Sequence, residues 1–164
     1  MPRSAQSWLL TLAASALSFG SVAIADDAVL APANQRFASK DASEVPNFQQ
    51  HVVPLLSRLG CNGRACHGSF QGQGGFRLSL FGYDFKLDHE GLAKGDKEKD
   101  QEPRVLVEDP EGSLALLKAT LEMPHRGGKR MDVDSWQYNI FRNWTIFEQY
   151  IVLCIIALLM LYCK

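Results

Sequence analysis

Two cysteines and a histidine sit together in the stretch Gly60-Cys61-Asn62-Gly63-Arg64-Ala65-Cys66-His67-Gly68. Thiols and imidazole at this spacing suit one chemistry above others. Each thiol can form a thioether to a haem vinyl group, and the adjacent imidazole can ligate the iron. The usual attachment motif is Cys-x-x-Cys-His, whereas four residues separate Cys61 from Cys66. The residues alone leave alternatives open. Cys61 and Cys66 could close a disulfide in a secreted protein. Cys61, Cys66, His67 and His125 could instead bind zinc, although adjacent Cys66 and His67 would share one tetrahedron awkwardly. A catalytic thiol has weaker support, because nothing nearby reads as a base with an orienting partner.

Haem iron held by His67 needs an open sixth site or a second axial ligand, commonly a methionine sulfur or a histidine nitrogen. The polar, glycine-bearing loop Met123-Pro124-His125-Arg126-Gly127-Gly128-Lys129-Arg130-Met131 offers Met123, His125 and Met131. Arg77, Lys129 or Arg130 could pair with the propionates.

The flanking elements must position these groups. Phe48, Val52, Leu55, Leu56 and Leu59 recur at helical spacing, with Asn47 as N-cap and Gly60 as the stop, so a helix delivers Cys61 at its end. Pro54 either kinks this helix or starts its second half. Gly68 to Gly75 reads as a glycine-rich loop. Phe76-Arg77-Leu78-Ser79-Leu80 then alternates as an extended segment with Phe76, Leu78 and Leu80 inward. The charged stretch 84–104 reads as a solvated loop or, alternatively, a docking surface for a redox partner. Asp109-Pro110-Glu111 carries a helix-start signature, with Ser113 as the rival cap, and the helix stops near Met123-Pro124. A last helix, capped by Asp132 or Asp134, places Trp136, Ile140, Phe141 and Trp144 on one side.

The 164 residues leave room for one domain at most. Residues 1–25 read as a secretory signal peptide: Arg3 is positive, Trp8 to Val22 is mostly apolar, and Ala23-Ile24-Ala25 fits the cleavage rule. That predicts an exported chain, periplasmic or at the cell surface. Residues 26–45 read as a mobile leader. Charge is nearly balanced, 17 Lys+Arg against 18 Asp+Glu, and loss of residues 1–25 removes only Arg3, giving 16 − 18 = −2. Such a balance argues against a nucleic-acid binder. Tyr150 to Cys163 is almost wholly apolar over 14 residues, shorter than the about 20 a bilayer crossing needs. Residues 146–164 are accordingly expected to be a hydrophobic tail that associates with a membrane.

The stretch from Pro46 to Trp144 resembles the cytochrome-c-like domain found at the front of large secreted planctomycete proteins. The resemblance is carried by Val53-Pro54-Leu55-Leu56, Gly60-Cys61-Asn62, Ala65-Cys66-His67-Gly68, Gly74-Gly75-Phe76-Arg77-Leu78-Ser79-Leu80, Asp109-Pro110-Glu111-Gly112-Ser113-Leu114, Met123-Pro124-His125-Arg126-Gly127-Gly128 and Ile140-Phe141-Arg142-Asn143-Trp144. It implies an all-α fold, a small cytochrome-c-like helical domain with long glycine-rich loops spanning 46–145. It implies haem c bound covalently by Cys61 and Cys66, His67 as proximal ligand and Met123 as distal ligand. His125 stands where related domains have a second proline after the methionine. The resemblance also implies an electron carrier that serves an unidentified redox partner and is not itself an enzyme. After Trp144 the chain departs from the family, in which further domains follow. A truncated or frame-shifted longer chain and a gained membrane tail are the two readings of that departure.

Overall fold

Helices account for nearly all the regular structure in the computed structural model, which describes residues 29–95 and 102–162. The expected signal peptide at 1–25 lies outside the described residues. From Ala31 onward the chain folds as one unit. Its elements are α1 (Ala33–Arg36), a π-type turn (Phe48–Val52), α2 (Val53–Arg58), a 3-10 turn (Leu80–Gly82), α3 (Phe85–Ala93), α4 (Leu114–Thr120) and α5 (Trp136–Tyr162). Among the described residues the only strand-like feature is an isolated antiparallel bridge between Gln73 and Phe76. The architecture is therefore all-α.

The first helical segment forms as its sequence signals. The Asn47 side chain accepts a hydrogen bond from Gln50 N at 3.0 Å, satisfying one of the free N–H groups at a helix start. Pro54 falls in the first turn of α2, where its missing N–H costs nothing. It marks the change from π-type turn to α-helix, so it starts the second half. Gly60 has φ +78° and lets the chain leave the helix, while Cys61 N donates to Leu56 O at 2.8 Å.

The core is built from Val52, Leu55 and Leu56 of the first segment, Leu78, Leu92 of α3, Leu116 of α4, and Ile140, Phe141 and Trp144 of α5. Phe37 is also fully buried within it. Within the segment 26–45, which was expected to be a mobile leader, Phe37 is buried while most other described residues are exposed. Asn139 Nδ2 donates to Phe37 O at 3.1 Å, Asn143 Nδ2 donates to Lys40 O at 3.0 Å, and Arg36 pairs with Glu44.

Several local expectations are corrected. The charged stretch 84–104 contains α3, capped by the Asp84 side chain, which accepts from Leu87 N at 3.0 Å. Burial of Leu92 and Asp88 fixes α3 against the core, and both oxygens of Asp88 accept from Ser79, one from its N–H and one from its hydroxyl. Leu78 points inward as expected, but Leu80 enters the 3-10 turn and is partly exposed. Ser113, not Asp109, precedes α4; the Asp109 carboxylate accepts from Gly112 N and shapes a turn before the helix. α4 stops earlier than expected, with Leu121 in the left-handed region at φ 67°. Ser135, neither Asp132 nor Asp134, caps α5: its hydroxyl accepts from Tyr138 N at 3.3 Å.

α5 runs without interruption from Trp136 to Tyr162, so no boundary separates the domain from the apolar tail at residue 146. Its first half carries the buried Tyr138, Ile140, Phe141 and Trp144, whereas Tyr150, Ile155, Leu158, Leu161 and Tyr162 are exposed. Among the described residues no helix is long and apolar enough to cross a membrane.

Candidate functional site: a cavity between two loops

The Cys61–Gly68 loop is a tight coil. Gly63 N donates to Gly60 O, Cys66 N to Gly63 O, and Gly68 N to Gly63 O at 3.0 Å. His67 N donates to Cys61 O at 2.9 Å, which brings the histidine back over the first cysteine. The four intervening residues are thus taken up by turns. Gly68 is required by close approach: a Cβ there would stand 2.0 Å from Asn62 O. Asn62 is buried and its Nδ2 donates to Ser57 Oγ at 2.8 Å, while Phe81 N donates to Asn62 O and Leu78 N to His67 O. The loop is therefore pinned both to α2 and to the segment after it.

Within the loop the three chemical groups are distinguished by their surroundings. Burial pushes the Cys61 thiol up to about 11, against an opposing pull from the Arg130 guanidinium, so it is protonated at neutral pH. Arg130 Nη2 donates to Cys66 Sγ at 4.0 Å and Nη1 donates to Leu59 O at 3.3 Å. Cys61 and Cys66 are unbridged in this structure. His67 Nδ1 lies 3.0 Å from Phe76 O. A carbonyl oxygen only accepts, so Nδ1 carries the proton and Nε2 keeps the lone pair. Burial first, and then the neighbouring His125 and Arg104, hold the His67 pKa below its ordinary value, while the Phe76 carbonyl opposes them.

The second loop mirrors this arrangement. Met123 N donates to Leu117 O at 2.9 Å and Arg130 N to Ala119 O at 2.7 Å, which fastens both ends of the loop to α4. His125 Nδ1 lies 3.0 Å from Gly128 O, leaving its Nε2 as the lone pair too. Gly127 makes room for the ring, since a Cβ there would stand 2.7 Å from His125 Cε1. The His67 and His125 rings are parallel, 5° apart in plane and 6.4 Å between centroids.

A cavity of about 1240 Å³ opens between the loops. This exceeds the ~300–1,000 Å³ typical of small-molecule sites. Cys61, Cys66 and His67 line one part, and His125, Arg130 and Met131 another. Leu56, Leu78, Leu92 and Phe141 supply apolar wall.

Of the residues singled out in the sequence, the fold thus gathers Cys61, Cys66, His67, His125 and Met131. Met123 is not among the lining residues and is 39% exposed, because α4 ends early and the loop turns its side chain outward. Of the suggested propionate partners, only Arg130 lines the cavity. Arg77 lies over the Phe70 ring, and Lys129 pairs with Asp132. The sequence reading did not single out Arg104, Lys118, Arg126 or Gly127 at this site; the Arg-Gly-Gly run after His125 was the available signal. Among the described residues no three or more His, Cys, Asp or Glu side chains assemble as a metal-holding group.

Comparison with known proteins finds no matching family model, no matching curated protein and no matching solved structure.

Proposed function

We propose that this chain binds haem c covalently and transfers electrons in an extracytoplasmic compartment, as a carrier and not as an enzyme. The observation that carries the reading is the pair of imidazoles, His67 and His125, parallel and 6.4 Å apart between centroids, in one large cavity that Cys61 and Cys66 also line. Cys61 and Cys66 would hold the porphyrin through thioethers, His67 would be the proximal ligand and His125 the distal one. When bound, haem supplies one-electron chemistry at its iron.

The protein's own groups suit that role. Phe76 O and Gly128 O fix the tautomer of each histidine, as partners behind metal-ligating imidazoles commonly do. Leu56, Leu92 and Phe141 supply apolar wall from α2, α3 and α5, and histidine on both sides would favour a lower potential than histidine with methionine. The resemblance in the cysteine and histidine loops supports the same reading, as does an export signal, since haem c is attached outside the cytoplasm. A redox protein would be the partner.

The test is the absorption spectrum of chain made together with haem-maturation machinery, before and after acid-acetone extraction. Soret and α bands that survive extraction are expected. A colourless protein whose mass is two hydrogens below the dithiol would mean a Cys61–Cys66 bridge and would defeat the proposal.

A further inference from the structure

Phe81 is a bulky residue in the left-handed region, at φ 56° and ψ 19°, with its side chain 72% exposed. Ordinary residues seldom adopt that backbone, whereas glycine does so without strain. The turn is held in this shape by its neighbours. Phe81 N donates to Asn62 O, Gly82 N to Ser79 O and Asp84 N to Ser79 Oγ. Gly82 follows at φ +76°, and a Cβ there would stand 2.3 Å from Val53 Cγ1. An outward phenylalanine serves neither the core nor this backbone, which points to a contact outside the chain. Tyr83 is 71% exposed, and Leu80 and Phe85 beside it in sequence are partly exposed.

The turn leads into α3, which lies along α5. Leu92, near the end of α3, and Phe141, near the start of α5, share the cavity wall. One turn earlier in α3, His89 lies 3.1 Å from Glu148 and edge-on to Trp144. α3 therefore runs antiparallel to α5, and its start at Phe85 lies toward the exposed half of α5. That half has no charged residue between Glu148 and Lys164, and Tyr150, Ile155, Leu158 and Leu161 are exposed. A helix apolar on all sides suits a surrounding medium, whereas one protein groove would cover a single stripe. From Phe147 to Tyr162 it is about 24 Å long, short of the about 30 Å of a bilayer core, so it enters lipid without crossing it.

We infer that Phe81 and Tyr83, at the tip of the Leu80–Phe85 turn, insert into a lipid surface, so that the helical domain itself is seated on a membrane by its own turn. The inference does not rest on the haem reading. Aromatic side chains are favoured at the boundary between headgroups and acyl chains. A second apolar contact also converts a marginal anchor into stable attachment. Exposed Lys86, just past the turn, stands where anionic headgroups would lie.

The test uses the full chain and vesicles of phosphatidylcholine with phosphatidylglycerol, with binding read by co-sedimentation. Phe81→Gly should fold at least as well as the parent by urea titration, because glycine relieves the backbone. It should nevertheless bind vesicles about tenfold more weakly, the effect of withdrawing one aromatic side chain from lipid. Stability and binding would then move in opposite directions, which a purely structural role would not produce. Tyr83→Ser should weaken binding severalfold, and it keeps the test decisive if Phe81→Gly fails to fold. Phe70→Ser, which removes an exposed aromatic from the loop after His67, should leave binding unchanged. In Phe81→Trp, emission should shift to the blue on vesicles and be quenched by lipids brominated on their acyl chains. Parental binding in both Phe81→Gly and Tyr83→Ser, with Phe81→Trp unquenched, overturns the inference and leaves α5 alone as the attachment. Absence of vesicle binding by the parent overturns it too. So does a concentration-dependent blue shift of Phe81→Trp without lipid, which would mark a second copy of the chain as the occupant.

Discussion

If haem is bound as proposed, replacing His125 by alanine should remove one axial ligand, whereas replacing Met123 by alanine should leave both in place. The magnitude follows from the ring separation. Two metal–nitrogen bonds of about 2.0–2.1 Å each, with each nitrogen about 1.1 Å from the centroid of a ring of ~1.33 Å bonds, require about 6.3 Å between centroids along a common axis. The parallel His67 and His125 rings are 6.4 Å apart between centroids, a separation of the same size. Met123 would need its exposed side chain turned inward. Met131 is buried and lines the cavity, but it is packed into the core beneath it.

The assay is the optical and paramagnetic resonance spectrum of the oxidised, haem-loaded protein. The parent should be low-spin and lack the weak near-infrared sulfur-to-iron band. His125→Ala should become high-spin, and added imidazole should restore the low-spin form. Met123→Ala and Met131→Leu should match the parent, the latter at less than about 1.5 kcal/mol of stability, as a near-isosteric core swap. A near-infrared band in the parent that disappears in Met123→Ala would refute the reasoning, because it would mean that the loop reorganises to present sulfur. Retention of the low-spin signal in His125→Ala without imidazole would refute it too.

Phe37→Ala should lower stability by about 3–5 kcal/mol, the usual cost of truncating a buried aromatic, and shift the urea midpoint down by roughly 2 M for a slope near 2 kcal/mol/M; no shift would mean that the segment before Pro46 is not part of the core. Gly127→Ala should leave the protein folded by circular dichroism but push the His125 ring from its place, giving a mixture of low- and high-spin iron; an unaltered spectrum would show that the ring tolerates the added methyl. Leu121→Gly should stabilise by roughly 0.5–1 kcal/mol, because the left-handed backbone costs an ordinary residue roughly 1–2 kcal/mol and glycine's unfolded-state entropy returns about 0.5–1 kcal/mol of that; thermal melting reads the sign. His51 accepts from Asn47 N through Nδ1, and burial, aided by Arg36, lowers its pKa against the pull of Glu44. Its contribution to stability is therefore complete above its unfolded pKa of about 6.5 and is lost as pH falls below that value, so His51→Gln should flatten the acid side of the stability profile measured by urea titration.

The parts of the site that depend on neighbouring residues were legible in the sequence. Asn47, Pro54 and Gly60 each act within a few positions of themselves, and together they deliver Cys61 at a helix end. What escaped the sequence depends on partners far along the chain. Phe37 stands alone in a polar segment without periodicity, and the group that fixes its carbonyl, Asn139, is 102 residues away. α3 was hidden because the dense charge of 94–104 coloured the whole stretch, although Asp84 before Phe85 and Leu87 was a readable cap. The choice between Met123 and His125 turns on which side chain faces inward after α4 ends, and that end is set by Leu121 in a conformation its residue type does not favour.

The relation between the two histidines is more informative than either alone. Each ring is oriented by its own loop: His67 by Phe76 O and by the bond from Leu78 N to its carbonyl, His125 by Gly128 O and by the clearance at Gly127. No hydrogen bond joins the two rings among the described residues, so their parallel alignment is not a contact that either needs for its own stability. A direct link between the loops comes from Arg130, whose guanidinium reaches back to Leu59 O and Cys66 Sγ. His67 and His125 are thus two independently supported imidazoles that line the same cavity. Under the proposed haem reading both rings would ligate the iron, and Arg130 would tie together the two loops that carry them.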